Sequence, residues 1–322
     1  MCRRIDDSSG VAETIVCVVQ TLPEVDATMK IIRREPSNTL ERTQIWTVQP
    51  DHIEGPFLIT LSEPWKRTPD QPLFGRMVLD GNVLCGFAQY ASQCAEAELL
   101  VPPALVVTIG YPLHSPTPPI MARNRDLTPM AWPEWEALYS TLHGATSPSG
   151  GGADRFLAFI CDELKPAVER EFGVLPGEWD LAGTSFGGLF AVHALLSAPT
   201  QFKRYFGCGS SFWWRGTMMF ERAEAFVREA GDLDVAVYLC AGEFETADHL
   251  KAVLEKLNLP VFKEYIDVMG GYPDIVDEAH RMAALLAQRK GCRTHSAVVP
   301  NQTHGSAPLA ALVQGLRWLH GR

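Results

Sequence analysis

The 322-residue chain has no CxxC pair, no internal repeat, no excess of basic charge and no long apolar run. A membrane-spanning helix needs about 18 or more apolar residues in succession, and no stretch reaches that. Near the start, Arg3 and Arg4 are followed by Asp6, Asp7 and Glu13, and the apolar run 15–19 is shorter than the ~7–15-residue core of a secretory signal. The sequence therefore predicts a soluble, cytoplasmic protein that does not engage a membrane. Lys and Arg total 28 against 38 Asp and Glu, a net charge of −10, which argues against nucleic acid as a partner. The eight cysteines, at 2, 17, 85, 94, 161, 208, 240 and 292, lack the spacing of a zinc site or a disulfide framework. Cys161, Cys208 and Cys240 lie in apolar runs, where a thiol acts as a small hydrophobe. No metal and no cofactor is expected.

What the chain does have is an alternation of short β-branched runs and amphipathic stretches. Strands are predicted at 44–48 and 57–61, an antiparallel start, then at 77–79, 104–109, 179–182, 205–208, 235–240 and 296–299. Helical patterns occupy 83–100, 154–172, 186–196, 218–229, 274–289 and 308–319, with Pro166 expected to bend or break the second. This alternation implies an α/β fold with a mostly parallel central sheet covered by helices on both faces. Functional loops then follow the carboxyl ends of the strands. Residues 1–40 lack periodicity and read as an N-terminal extension or edge, and 41–322 as a single catalytic domain. Seven prolines and the run Ser149-Gly150-Gly151-Gly152 mark 112–152 as a loop insertion near the site.

The stretch "WDLAGTSFGGLFAVHALL" (179–196) places Gly183-Thr184-Ser185-Phe186-Gly187 between a strand and an apolar helix. Gly-x-Ser-x-Gly in that context is a nucleophile elbow, where a strained turn lifts the serine hydroxyl clear of the sheet. Glycines on either side keep side chains out of the crowded corner, and the helix N-terminus aims free N–H groups at the site. A serine hydroxyl needs a base near neutral pH. His304, after the last strand and before the last helix, fits the chain order serine, acid, histidine better than His193, His280, His295 or His320. The acid should follow strand 235–240. Glu245 is the first choice, with Glu243 and Asp248 behind it. Two N–H donors should hold the oxyanion: Phe186, directly after the nucleophile, and Tyr111, in the loop after 104–109. Gly110, beside Tyr111, is expected to line the substrate site.

The block "GTSFGGLFAVHALLSAPTQFKRYFGCGSSFWW" resembles the "Putative esterase" family of the α/β-hydrolase fold, and within it the branch that hydrolyses enterobactin-type siderophore trilactones. "LDGN" (79–82), "VVTIGYP" (106–112), "RNRDLTP" (123–129), "GGADRFLAFICDELKPAVEREFG" (151–173) and "THG" (303–305) agree in order, over about residues 40–320. The resemblance implies Ser185 as nucleophile and His304 as base. It sets Trp213 and Trp214 beside the site, able to stack on an acyl or aryl group, and turns Arg123 or Arg125 toward an anionic substrate. The expected activity is hydrolysis of a small-molecule carboxylic ester or lactone through an acyl-enzyme. An acyltransferase, a non-catalytic binding protein and, more weakly, a peptidase are the rivals. The natural ester and the oligomeric state, including a homo-oligomer, stay open at this level.

Overall fold

The computed structural model describes residues 29–229, 231–257 and 260–321. Among the described residues nine strands form one sheet: β1 (Lys30–Pro36), β2 (Thr43–Gln49), β3 (Phe57–Ser62), β4 (Leu73–Val78), β5 (Ala104–Gly110), β6 (Val174–Thr184), β7 (Arg204–Cys208), β8 (Val235–Gly242) and β9 (Cys292–Val299). Their spatial order is β1-β2-β3-β5-β4-β6-β7-β8-β9. The pairs β1–β2, β2–β3 and β3–β5 are antiparallel and the rest parallel. The interior strands β5 and β8 are buried at every position, as expected where helices cover both faces. β1 is a charged edge strand (KIIRREP) exposed over most of its length. That suits an edge, which charge protects from further pairing.

On one face, α1 (Gly81–Ala97) and α11 (Ala307–Leu319) pack over Val78, Val106, Ala182, Phe206 and Tyr238. On the other lie α4 (Ala153–Ala158), α5 (Lys165–Phe172), α6 (Phe186–Ser197), α7 (Met218–Arg228) and α10 (Ile275–Leu286), with Trp46, Phe57, Trp179 and Phe190 in the larger core. Between α4 and α5, residues Phe159–Leu164 widen into a π turn in which Lys165 N–H reaches the Ile160 carbonyl. Pro166, which has no N–H to donate, follows at once, and after this local widening the helix continues through α5.

The segment 112–152 is not an irregular loop. It contains α2 (Pro119–Leu127) and α3 (Pro133–His143), each begun by a proline in its first turn. Proline is preorganised there, because the missing N–H would be unbonded anyway. Met121, Leu127, Trp132 and Trp135 from this segment are buried in the core. Two further helices, α8 (Ala247–Leu257) and α9 (Pro260–Met269), lie between β8 and α10.

Beneath the sheet's amino-terminal edge, Asp180 is buried among three cationic or imidazole groups: Arg76 Nε at 3.2 Å, Arg204 Nη1 at 3.1 Å and His320 Nε2 at 3.0 Å. Burial works against its ionisation, but His320, Arg76 and Arg204 outweigh it and hold the carboxyl well below the usual range. Removing one partner of a buried pair leaves an uncompensated charge. Asp180→Ala is therefore expected to lower stability by about 3–5 kcal/mol, read from urea unfolding. Because the folded pKa is depressed, the wild-type advantage is full above the unfolded value of about 3.9 and shrinks as pH falls below it. A deficit that persists undiminished in acid would contradict this account.

Candidate active site

Six loops at the carboxyl ends of β4 to β9 converge on one region. At the end of β6 the chain turns sharply into α6, and Ser185 stands at the apex with φ 58° and ψ −118°. A non-glycine residue there is strained, and the surroundings hold it. Ser185 N–H donates to the Cys208 carbonyl at 2.9 Å, and the Ser185 carbonyl accepts from Leu189 and Ser211 N–H at 3.0 and 3.2 Å. A side chain at Gly183 would run into the Gly187 carbonyl across the turn. Phe186 opens α6, so its N–H is among the first-turn donors that no intrahelical carbonyl can satisfy.

His304 lies in the loop between β9 and α11, with its ring half exposed. Its Nδ1 is 2.6 Å from Oε2 of Glu245, whose side chain is only 2% exposed. The other oxygen, Oε1, accepts the Gly242 N–H at 2.7 Å. Both oxygens of Glu245 are thus fixed, and α10 braces its backbone through Ile275 N–H at 3.0 Å. Gly209, with φ +57°, passes so near that a Cβ would sit 2.9 Å from Glu245 Oε2 and 3.0 Å from His304 Nδ1. The other two carboxylates considered are elsewhere: Glu243 is exposed and accepts Asn301 N–H at 2.7 Å, and Asp248 is exposed on α8. Ser185 Oγ lies 3.4 Å from Ser211 Oγ. Among the described residues no hydrogen bond joins it to His304, an arrangement common in sites without substrate.

Several expected site residues have different surroundings. Tyr111 N–H is not a free donor, because Asn82 Oδ1 accepts it at 2.7 Å while Asn82 Nδ2 donates to the Tyr111 carbonyl at 2.7 Å. Gly110 is buried against Asn82 and serves packing. Arg125 points away from the cleft. It closes a fork on Asp126 at 2.6 and 3.0 Å and donates to the Glu54 carbonyl at 2.8 Å. Trp214 is fully buried, its indole N–H on the Met130 carbonyl at 2.9 Å, so it supports the site from below. Trp213 is only partly buried and packs with Phe186, Trp132 and Trp135. Arg123 lies at the cleft, but both arms of its fork are on Asp80, at 2.7 and 2.9 Å. Of the rejected histidines, His193 contacts Arg222 and Asp154, His320 contacts Asp180, His280 contacts Ser296, and His295 stacks on Trp318.

Sequence reasoning passed over Asp80, Asn82 and Ser211 as site residues. A signal for the first two was present: "LDGN" follows a strand. What was missing was that β4 sits between β5 and β6, beside the elbow strand.

Comparison with known proteins fits this geometry. Residues 133–260 match the family described as "Putative esterase". The chain is 36% identical over 179 residues to a siderophore triacetylfusarinine C esterase of Aspergillus fumigatus, covering 53% of this chain and 57% of that one. It is 33% identical over 146 residues to the ferri-bacillibactin esterase BesA of Bacillus subtilis, covering 44% and 49%. The chain thus spans roughly half the length of these curated relatives. Among solved structures, the BES protein from Bacillus cereus superimposes with a TM-score of 0.69 at 24% identity, over 89% of this chain and 98% of that one. The chain has the α/β-hydrolase fold, and along the stretch that carries the elbow it resembles the "Putative esterase" family and, within it, the siderophore esterases.

Proposed function

We propose that the protein is a serine ester hydrolase acting on a siderophore-type cyclic ester. The observation that carries this reading is the His304–Glu245 pair, 2.6 Å apart, in the same loop cluster as an elbow serine with positive φ. In the first step His304 Nε2 takes the Ser185 proton as Oγ attacks the ester carbonyl. Glu245, held by Gly242 N–H, keeps the other ring proton on Nδ1 and stabilises the imidazolium. His304 then protonates the leaving alcohol. Water, activated by the same imidazole, attacks the acyl-enzyme and frees Ser185.

The oxyanion needs two N–H donors. Phe186 supplies one. With Tyr111 N–H held by Asn82, the second comes from the first turn of α1, where Gly81 and Asn82 N–H have no intrahelical acceptor. In α/β-hydrolases the second donor belongs to the loop after the strand beside the elbow strand, which here is β4. Phe186, Trp135, Trp213 and Tyr265 form a chain of aromatic contacts with ring centroids 5.4–6.2 Å apart. Trp135 and Phe186 are buried within this chain of rings, while Trp213 and Tyr265 keep part of their surface exposed, and such partly exposed rings suit the flat aryl or extended acyl arms of a siderophore. The names of the relatives support the same substrate class.

The test is hydrolysis of a p-nitrophenyl ester and of a catecholate trilactone, beside labelling by a fluorophosphonate. Turnover of both esters, with one label per chain on Ser185, is the expected result. A folded wild-type protein that neither turns over nor takes up label would overturn the reading.

A further inference from the structure

Asp80, Arg123 and the elbow form an arrangement that the proposed proton transfers do not use. Asp80 ends the β4–α1 loop in the left-handed region, φ 58° and ψ 43°, immediately before the two α1 amides. Its carboxylate is 8% exposed and binds Arg123 of α2 through both fork arms, 2.7 Å to Nε and 2.9 Å to Nη2. Arg123 Nη2 also donates to the carbonyl of Thr184, the residue before the nucleophile, at 3.4 Å. The guanidinium carbon lies 5.1 Å from the centroid of the Phe186 ring, the residue after the nucleophile. From the other side, a Cβ on Gly187 would sit 3.2 Å from Asp80 Oδ2, so the carboxylate rests directly on the elbow.

One ion pair therefore clamps three segments. Two of them carry the proposed oxyanion donors: the elbow carries Phe186 N–H, and the β4–α1 corner carries the Gly81 and Asn82 N–H groups from which the second donor comes. The third, α2, is the strut. We infer that the Asp80–Arg123 pair is a positioning device that fixes the separation of the two oxyanion donors, with Arg123 acting through the elbow and not as a direct anion ligand of the substrate. The physical reason is that preorganised donors are effective only at a fixed spacing, so a small relaxation of either loop lowers transition-state binding more than ground-state binding. A guanidinium whose Nε and Nη2 are already on a carboxylate has less left to offer an anionic substrate.

This inference rests on the hydrolase reading above, and the experiment separates the two. Steady-state kinetics on the p-nitrophenyl ester and the trilactone would be measured for wild type, Asp80→Asn, Arg123→Ala, Arg123→Lys and the double variant Asp80→Asn/Arg123→Gln. The double variant removes both charges together and avoids a lone buried ion. Expected is a fall in kcat of about tenfold to a hundredfold, below the loss for deleting a donor outright. KM should stay within about twofold, and the rate of fluorophosphonate labelling should fall in parallel. Arg123→Lys, which keeps the charge but not the fork, should lose nearly as much kcat as Arg123→Ala. The double variant should be no worse than the worse single variant, because the two residues act as one unit.

A rise in KM with kcat unchanged, restored by Arg123→Lys, would overturn the inference and make Arg123 a substrate ligand. Unchanged kinetics in the folded double variant would overturn it as well. Either result in an active wild type leaves the hydrolase reading standing. An inert wild type removes both.

Discussion

Ester turnover by Ser185→Ala is expected to fall by about 10⁴–10⁶-fold, to the level left by binding and oxyanion stabilisation alone, with the fluorophosphonate label absent. The melting temperature should barely move. Alanine keeps the Cβ that makes φ 58° costly, and among the described residues the lost hydroxyl has one partner, Ser211 Oγ at a long 3.4 Å. Ser185→Gly provides the sharper control. Glycine adopts positive φ without penalty, and residues held in sparsely populated backbone regions cost of order 1–3 kcal/mol. Against that stands the entropy that glycine loses on folding, roughly 0.5–1 kcal/mol. Ser185→Gly should therefore be as inactive as Ser185→Ala yet equally or more stable in urea or heat. Opposite effects on activity and stability at one residue are what a strained nucleophile requires. A serine that mattered only for packing would lose stability and activity together. Substantial turnover by either variant would move the nucleophile elsewhere.

The elbow was legible because its signal is local: two glycines, a serine, a β run before and an apolar run after. That His304 and Glu245 would meet was legible because strands alternate with helices, and the ends of parallel strands gather at one edge of the sheet. That Asn82 would occupy the Tyr111 N–H was not legible, because sheet order is not a local property. The sequence shows β4, β5 and β6 in succession, but β4 inserts between the other two, and it is its loop that adjoins the elbow. Arg123 and Arg125 carried a contrast that the sequence could have revealed. Two residues apart on a helix, they lie on nearly opposite faces, so only one could reach the cleft once α2 was recognised as a helix. The prolines hid that helix, because clustered prolines read as a loop when they in fact begin two helices. Strand β1 was missed for a different reason. An edge strand with most of its residues exposed has no alternation of buried and exposed positions to detect. Trp214 illustrates a last limit: two adjacent tryptophans share a composition, and only packing separates the one at the cleft from the one beneath it.

Glu245→Gln is expected to lower kcat by about 10⁴ with little change in KM, by analogy with the acid-to-amide change in serine protease triads. The carboxamide has nearly the shape of the carboxylate, and its oxygen can still accept the Gly242 N–H that Oε1 accepts at 2.7 Å. With the oxygen so placed, the NH₂ group faces His304 Nδ1 across the 2.6 Å gap that Oε2 now occupies. A donor at that position requires Nδ1 to be the acceptor, so the ring proton moves to Nε2, the atom that must receive the Ser185 proton. The imidazole is then present, correctly placed and unable to act as the base. Two measurements check this chain of reasoning. Nitrogen NMR of the His304 ring should show the proton on Nδ1 in wild type and on Nε2 in the variant. Fluorophosphonate labelling should slow in step with kcat, because both depend on the same proton transfer. Glu243→Gln and Asp248→Asn, at exposed carboxylates outside the pair, serve as comparisons and should leave kcat within about twofold, as surface changes do. If Glu245→Gln instead retained most of its turnover while its tautomer shifted, the site would work as a serine–histidine pair, with the imidazolium stabilised by solvent at its exposed edge. The buried carboxylate would then serve to place the His304 loop over the sheet and contribute little to the proton transfer itself.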